Sequence, residues 1–144
     1  MTLDELLSGI KSRGAEFAPP AADRDIILAS SALQQIRAAT IPTFMANLYS
    51  RTSGINLDSG YIFGPGEWNQ NRTYPVPGIF EINNEIAGIN DLRGKSIFGQ
   101  NDLFWFAFDA TGTCYMLDNT TLRILRKYDD PYRAITDCLM GGKF

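Results

Sequence analysis

The chain reads as a single α+β domain over residues 1–144: N-terminal helices, a mostly antiparallel sheet of about five to six strands, and a closing C-terminal helix. Three observations predict this. Apolar residues recur at helical spacing before residue 54 and again after residue 130, the period becomes extended between them, and the extended runs are separated by turns too short for parallel crossovers. A chain of 144 residues with 44% hydrophobic and 20% charged residues has the size and composition of one globular core.

Thr2-Leu-Asp-Glu5 has capping-box spacing, and Leu3, Leu6, Leu7 and Ile10 follow at i, i+3, i+4 and i+7, so a first helix begins here and stops near Gly14. Phe17 to Ala22, with Pro19-Pro20, makes a stiff connector. From Asp23 a second helix carries Ile26, Ala29, Leu33 and Ile36 on one face and ends at Ile41-Pro42, since the residue before proline avoids the α region. Pro42 opens a third helix with Phe44, Met45, Leu48 and Tyr49 on its apolar face, closed by Gly54.

Beyond Gly54, Tyr61-Ile62-Phe63 is a short strand ended by Gly64-Pro65-Gly66, and the polar stretch Glu67 to Pro77 is a loop. Ile79 to Ile82 fits a strand or a helix entry, and Asn83 to Asp91 a short helix. Strands are expected at Ser96–Gln100, Leu103–Phe108, Thr113–Leu117 and Leu122–Lys127. Asn101-Asp102, Asp109-Ala-Thr-Gly112 and Asp118-Asn119 lie between them as turns. Asp130 caps a last helix with Pro131 in its first turn and Tyr132, Ile135, Cys138 and Leu139 on one face, stopped by Gly141-Gly142.

The chain contains no histidine, which removes Ser-His-Asp and Cys-His nucleophile pairs and every imidazole metal site. Its two cysteines, Cys114 and Cys138, read as reduced thiols in a core and cannot build a structural zinc site without further soft ligands. Gly64-Pro-Gly66 and Gly141-Gly142 lack the lysine and the strand-to-helix context of a phosphate loop. Asp129-Asp130 reads as helix capping, Glu81 and Glu85 at i, i+4 as a solvated face, and Asp109-Ala-Thr-Gly112 as a hairpin turn rather than a calcium loop. No catalytic residue, cofactor or metal is expected, so the chain is read as no enzyme. A histidine-free enzyme or small-ligand binder stands as the weakest alternative.

With 13 basic and 16 acidic side chains the formal net charge is −3, which disfavours nucleic acid and suits a basic protein partner. The one basic cluster, Arg123, Arg126 and Lys127, is short. Acids at the N-terminus, and no apolar run long enough to span a bilayer, lead to the expectation of a cytoplasmic protein with no membrane association. Phe104, Phe106 and Phe108 share one face of a strand while Leu103, Trp105 and Ala107 share the other, so this strand is expected at the sheet centre, with Trp105 either core or part of a partner patch. Trp68, in a polar loop beside Glu67, is open to two readings, loop anchor or partner contact.

Several of these residues fall in the order of a known pattern. Ile36, Ile41-Pro42, Phe44, Leu48 and Ser53-Gly54 are followed by Tyr61-Ile62-Phe63-Gly64, Ile97-Phe98-Gly99, Phe104 to Asp109 with Gly112, then Asp118, Tyr128, Ile135 and Leu139. Over residues 22–140 this resembles the SUKH superfamily of bacterial toxin-immunity proteins, nearest to the YrhA-like branch related to fungal cell-wall-assembly regulators. Ser53-Gly54 stands where the pattern has Asn-Gly, and Ile41 where it has leucine; both keep a glycine at the helix end and an apolar residue before proline.

The resemblance implies an α+β domain that binds a cognate toxin and neutralises it in interbacterial competition, with no shared catalytic residue. The alternative it carries is a non-catalytic scaffold or regulatory interaction module. For toxin contact the acidic and aromatic loop residues Glu67, Trp68, Tyr74, Glu81, Glu85 and Asp102 are the candidates.

Overall fold

The computed structural model describes residues 1–70 and 72–141; Gly142, expected to help stop the last helix, and Asn71, in the loop expected over Glu67 to Pro77, lie outside them. Helix α1 (Leu3–Ser12) starts as its spacing predicts: the Glu5 backbone N–H donates to the Thr2 hydroxyl at 3.1 Å, which in turn donates to the Glu5 carboxylate at 3.2 Å. Leu6 and Ile10 are fully buried, and Gly14 takes the left-handed conformation just past the helix end. After β1 (Glu16–Phe17) come α2 (Asp23–Gln35) and α3 (Thr43–Tyr49), for which Pro42 is the N-cap rather than the first helical residue.

The sheet holds β1, β2 (Ile55–Leu57), β3 (Gly60–Ile62), β4 (Lys95–Gln100), β5 (Phe104–Asp109), β6 (Cys114–Asp118) and β7 (Ile124–Tyr128). All pairings are antiparallel and the spatial order is the chain order. Among the described residues, seven strands therefore replace the five to six expected. The extra ones, β1 and β2, are two and three residues long, too short to display a period of two. Between β3 and β4 the chain forms α4 (Ile79–Glu85) and a 3-10 turn over Asn90–Leu92, so Ile79 to Ile82 is helix rather than strand.

Helix α5 (Pro131–Met140), capped by Asp130 at its start and by left-handed Gly141 at its end, lies across one face of the sheet. Register partners in an antiparallel sheet share a face. Phe17, Ile55, Ile62, Gly99, Phe106, Met116 and Arg126 form one continuous row under the helices. Gly99 is needed there because a Cβ would sit 3.0 Å from the Cys138 sulfur and 2.8 Å from the Tyr61 carbonyl oxygen. Phe44 of α3 meets Phe98 and Phe108 edge-on, and those two rings stack at 5.7 Å. β5 is an interior strand one place from the sheet centre, with Phe106, Ala107 and Phe108 fully buried and Trp105 partly so, while Leu103, expected on its second face, precedes the strand and is 64% exposed.

The Asp109 turn also forms as read. One Asp109 carboxylate oxygen accepts from the backbone N–H groups of Thr111 and Thr113 and from the Thr111 hydroxyl, and Tyr115 donates to the other oxygen at 2.8 Å. Burial pushes this carboxyl up, but the hydrogen bonds from Thr111, Tyr115 and Thr113 outweigh it and hold the group below its ordinary 3.8. A carboxylate with a lowered folded-state pKa stabilises the fold above its ordinary value and loses that contribution as pH falls through the lowered one. Asp109→Asn is therefore expected to cost about 1 kcal/mol at neutral pH. In thermal melts the gap to wild type should close as pH drops below 4; a gap that is constant or widens in acid contradicts this.

A candidate protein-binding groove

Helix α2 buries Ile26, Ala29 and Leu33 at helical spacing, but Ile27 and Leu28 fall outside that stripe and are 67% and 55% exposed. Opposite α2 stands the start of α4, held by the Ile79 N–H donating to the Gly64 carbonyl at 2.7 Å. The turn at Gly66 abuts Gly78, where a Cβ would lie 2.9 Å from the Gly66 backbone and 3.3 Å from a Glu81 carboxylate oxygen. Between these elements runs an open groove of about 420 Å³. Leu28, Ala29, Ala32 and Phe80 line it from the helices, the loops at Pro20-Ala21, Ser53 and Pro65-Gly66 complete it, and the exposed carboxylates of Asp25, Glu67 and Glu81 border it.

Those three are the only charged residues lining the groove, and none of them has an ion-pair partner among the described residues. A lining of mixed polar and apolar character, with Leu28 and Phe80 beside unpaired carboxylates, matches the anatomy of a protein interface whose partner is basic.

Two larger clefts hold ion pairs of their own. A cleft of about 730 Å³ near the C-terminal half of α5 contains Arg126, Arg133 and Asp137. There Asp137 accepts from the Tyr128 hydroxyl at 2.6 Å and from Arg126 at 2.9 Å, with Arg133 at 4.0 Å. A cleft of about 490 Å³ beside Tyr61 and Gln100 is walled by Arg72. That guanidinium pairs with Glu16 at 3.1 Å, donates to Asn56 at 3.3 Å, and stacks on Trp68 with its carbon 4.6 Å from the ring centroid. The basic cluster is likewise partly engaged, since Arg126 is tied to Asp137. The edge strand β7 carries a bulge beside its charges, a usual protection against unwanted pairing.

Of the six residues expected at a contact surface, Glu67 and Glu81 converge on the groove rim, and Glu85 is exposed one helical turn beyond Glu81. Tyr74 is 81% exposed but borders the Arg72 cleft, and Asp102 is exposed in the β4–β5 turn beside the α5 cleft. Trp68 is only 9% exposed. It exchanges backbone hydrogen bonds with Val76 at 2.8 Å in both directions, lies under Arg72, and packs against Gly54. Of its two readings, loop anchor is the one its surroundings match.

Asp25, Leu28 and Phe80 join the site without having been singled out from sequence. The signal for Leu28 was there, as an apolar pair out of phase with the stripe of its own helix.

Among the described residues, no cysteine lines the groove. Burial pushes the Cys114 thiol up to about 12, helped by the charges of Asp109 and Asp130, and burial raises Cys138 as well. Both thiols therefore stay protonated at neutral pH. Burial also raises the Tyr49 and Tyr128 hydroxyls, so neither ionises there. No described helix is long and apolar enough to cross a membrane. No family model, no curated protein and no solved structure matches the chain.

Proposed function

We propose that this chain is an immunity protein of the SUKH type, which binds a cognate bacterial toxin and neutralises it without catalysis of its own. The observation that carries the reading is the groove between α2 and α4, where Leu28 and Phe80 stand beside three carboxylates that have no counter-ion among the described residues. The sequence order from Ile36 to Leu139 supports it, as does a chain without histidine whose buried thiols stay protonated. A basic toxin surface would be steered to the groove by charge and held there by the apolar contacts.

The test is co-expression with the product of the neighbouring gene. The wild-type chain should rescue growth and co-purify with that product one to one. In the variant Asp25→Lys, Glu67→Lys, Glu81→Lys, two of the charges lie in the first turns of α2 and α4, so it should melt a few degrees below wild type yet stay folded and bind at least about 100-fold more weakly at low salt. A neighbour that is harmless and does not co-purify overturns the proposal. Capture of several unrelated proteins instead would favour the regulatory-module reading.

A further inference from the structure

We infer that a pocket at the C-terminal ends of α2 and α4 binds an oxyanion of the phosphate class, as the free ion or as a phosphomonoester, on Arg37 and Arg93. It is separate from the groove, which lies along the earlier turns of the same two helices, and it goes beyond the toxin reading without resting on it. The pocket measures about 250 Å³ and is bounded by the turn after α2, the end of α4 and the 3-10 turn before β4. That is below the roughly 300–1,000 Å³ of sites for drug-sized ligands, so the space suits a small group rather than a whole nucleotide.

Its charge has one sign. Arg37, Arg93 and Lys95 line it, no carboxylate does, and Asp91 of the 3-10 turn is not part of the lining. In a chain whose formal net charge is −3, three basic residues around one pocket with no acid among them make a local positive field. None of the three has an ion pair among the described residues. The Lys95 ammonium lies 5.4 Å from the Tyr115 ring centroid, which leaves the two exposed guanidiniums as the free cations of the site. Planar guanidinium forks match the paired oxygens of a phosphate group. Gly88 and Asn90 also line the pocket, and their backbone N–H groups have no acceptor among the described residues, so they can donate to the same anion.

The backbone of Arg37 is a second, independent observation. Helix α2 ends in a Schellman motif: the Arg37 N–H donates to the Gln34 carbonyl at 3.0 Å and the Ala38 N–H to the Leu33 carbonyl at 3.0 Å. Arg37 holds the left-handed position, with φ at 63°, where a residue with a Cβ is strained and glycine is the usual choice. This chain uses left-handed glycines past the ends of α1 and α5, at Gly14 and Gly141, but an arginine past α2. Its side chain makes no hydrogen bond, ion pair or ring contact among the described residues that would offset the strain. Backbone strain held at a ligand clamp accounts for an arginine in this position.

Calorimetric titration of the intact chain with inorganic phosphate and with O-phospho-L-serine, near neutral pH and at fixed ionic strength, is the test. One site with a dissociation constant of about 1 mM or tighter is expected for at least one probe. Tighter binding of phosphoserine identifies a phosphomonoester as the ligand, and tighter binding of phosphate the free ion. Arg93→Gln should weaken binding at least about 10-fold. Arg37→Gly should weaken it as much while melting at or above wild type, because glycine relieves the left-handed backbone. Binding of both probes weaker than about 1 mM, binding that either variant retains, or an Arg37→Gly variant that melts below wild type overturns the inference. Each of these results leaves the toxin reading as it stands, since co-purification decides that one.

Discussion

Gly64→Ala is expected to lower the folding free energy by an amount at or beyond the upper end of the range of about 1–3 kcal/mol usual for overpacked sites. Gly64 is buried at the end of β3, where the chain crosses the Ser53–Gly54 segment. A Cβ built on it would fall 1.5 Å from the Ser53 carbonyl oxygen and 2.7 Å from the Ser53 carbonyl carbon. Both are backbone atoms, so no rotamer change relieves the clash and one strand of chain must move. The Gly64 carbonyl also receives the Ile79 N–H that holds the start of α4, so the displacement spreads to the wall of the groove. Urea unfolding measures it. An alanine variant whose midpoint matches wild type contradicts the geometry.

The second large effect lies at Asn83. β3 pairs with only part of β4, and beyond Phe63 the edge of β4 is left without a strand. The Asn83 side chain takes that place. Its Oδ1 accepts from the Ile97 N–H at 2.7 Å, and its Nδ2 donates to the Ile97 carbonyl at 2.9 Å and to the Ile79 carbonyl at 2.7 Å. Asn83→Leu strands both Ile97 groups at a residue that is 3% exposed, and each orphaned group costs about 1–3 kcal/mol, so a loss of about 2–6 kcal/mol is expected. Asn83→Asp should be no better at neutral pH, because a carboxylate cannot donate to the two carbonyls, and should recover part of the loss in acid once it is protonated. Denaturant midpoints for both variants decide the matter; an aspartate variant as stable as wild type at pH 7 rules out the donor role of Nδ2.

The two sites show where sequence reasoning reached and where it stopped. Helices α1 and α5 were legible because each announces itself twice, by a cap and by a 3.6-residue apolar stripe, and both caps make the expected hydrogen bonds. The β4 to β7 meander was legible because Asp109 and Gly112 state the turn chemistry directly. β1 and β2 were not, since two or three residues carry no period. Asn83 was read only as part of a short helix segment. What makes it structural is the length of β3, a strand more than 20 positions upstream whose early end leaves Ile97 unpaired.

The candidate site was half legible for a related reason. Acidic residues could be picked from the loops, but which of them share a rim depends on how α2, α4 and the Gly66 turn meet. That geometry gathered Glu67 and Glu81 with Asp25 and left Tyr74 and Asp102 elsewhere. Trp68 looked ambiguous because its neighbours in sequence are polar, yet its neighbours in space are Val76, Gly54 and the Arg72 guanidinium.

Hydrogen exchange of the chain, alone and with the product of its neighbouring gene, tests the central claim most directly. New protection is expected in residues 25–32, at Gly66 and Glu67, and at Phe80 and Glu81, with none gained along β7 or around Arg72. Protection confined to those other surfaces, or a pattern unchanged by the partner, contradicts it.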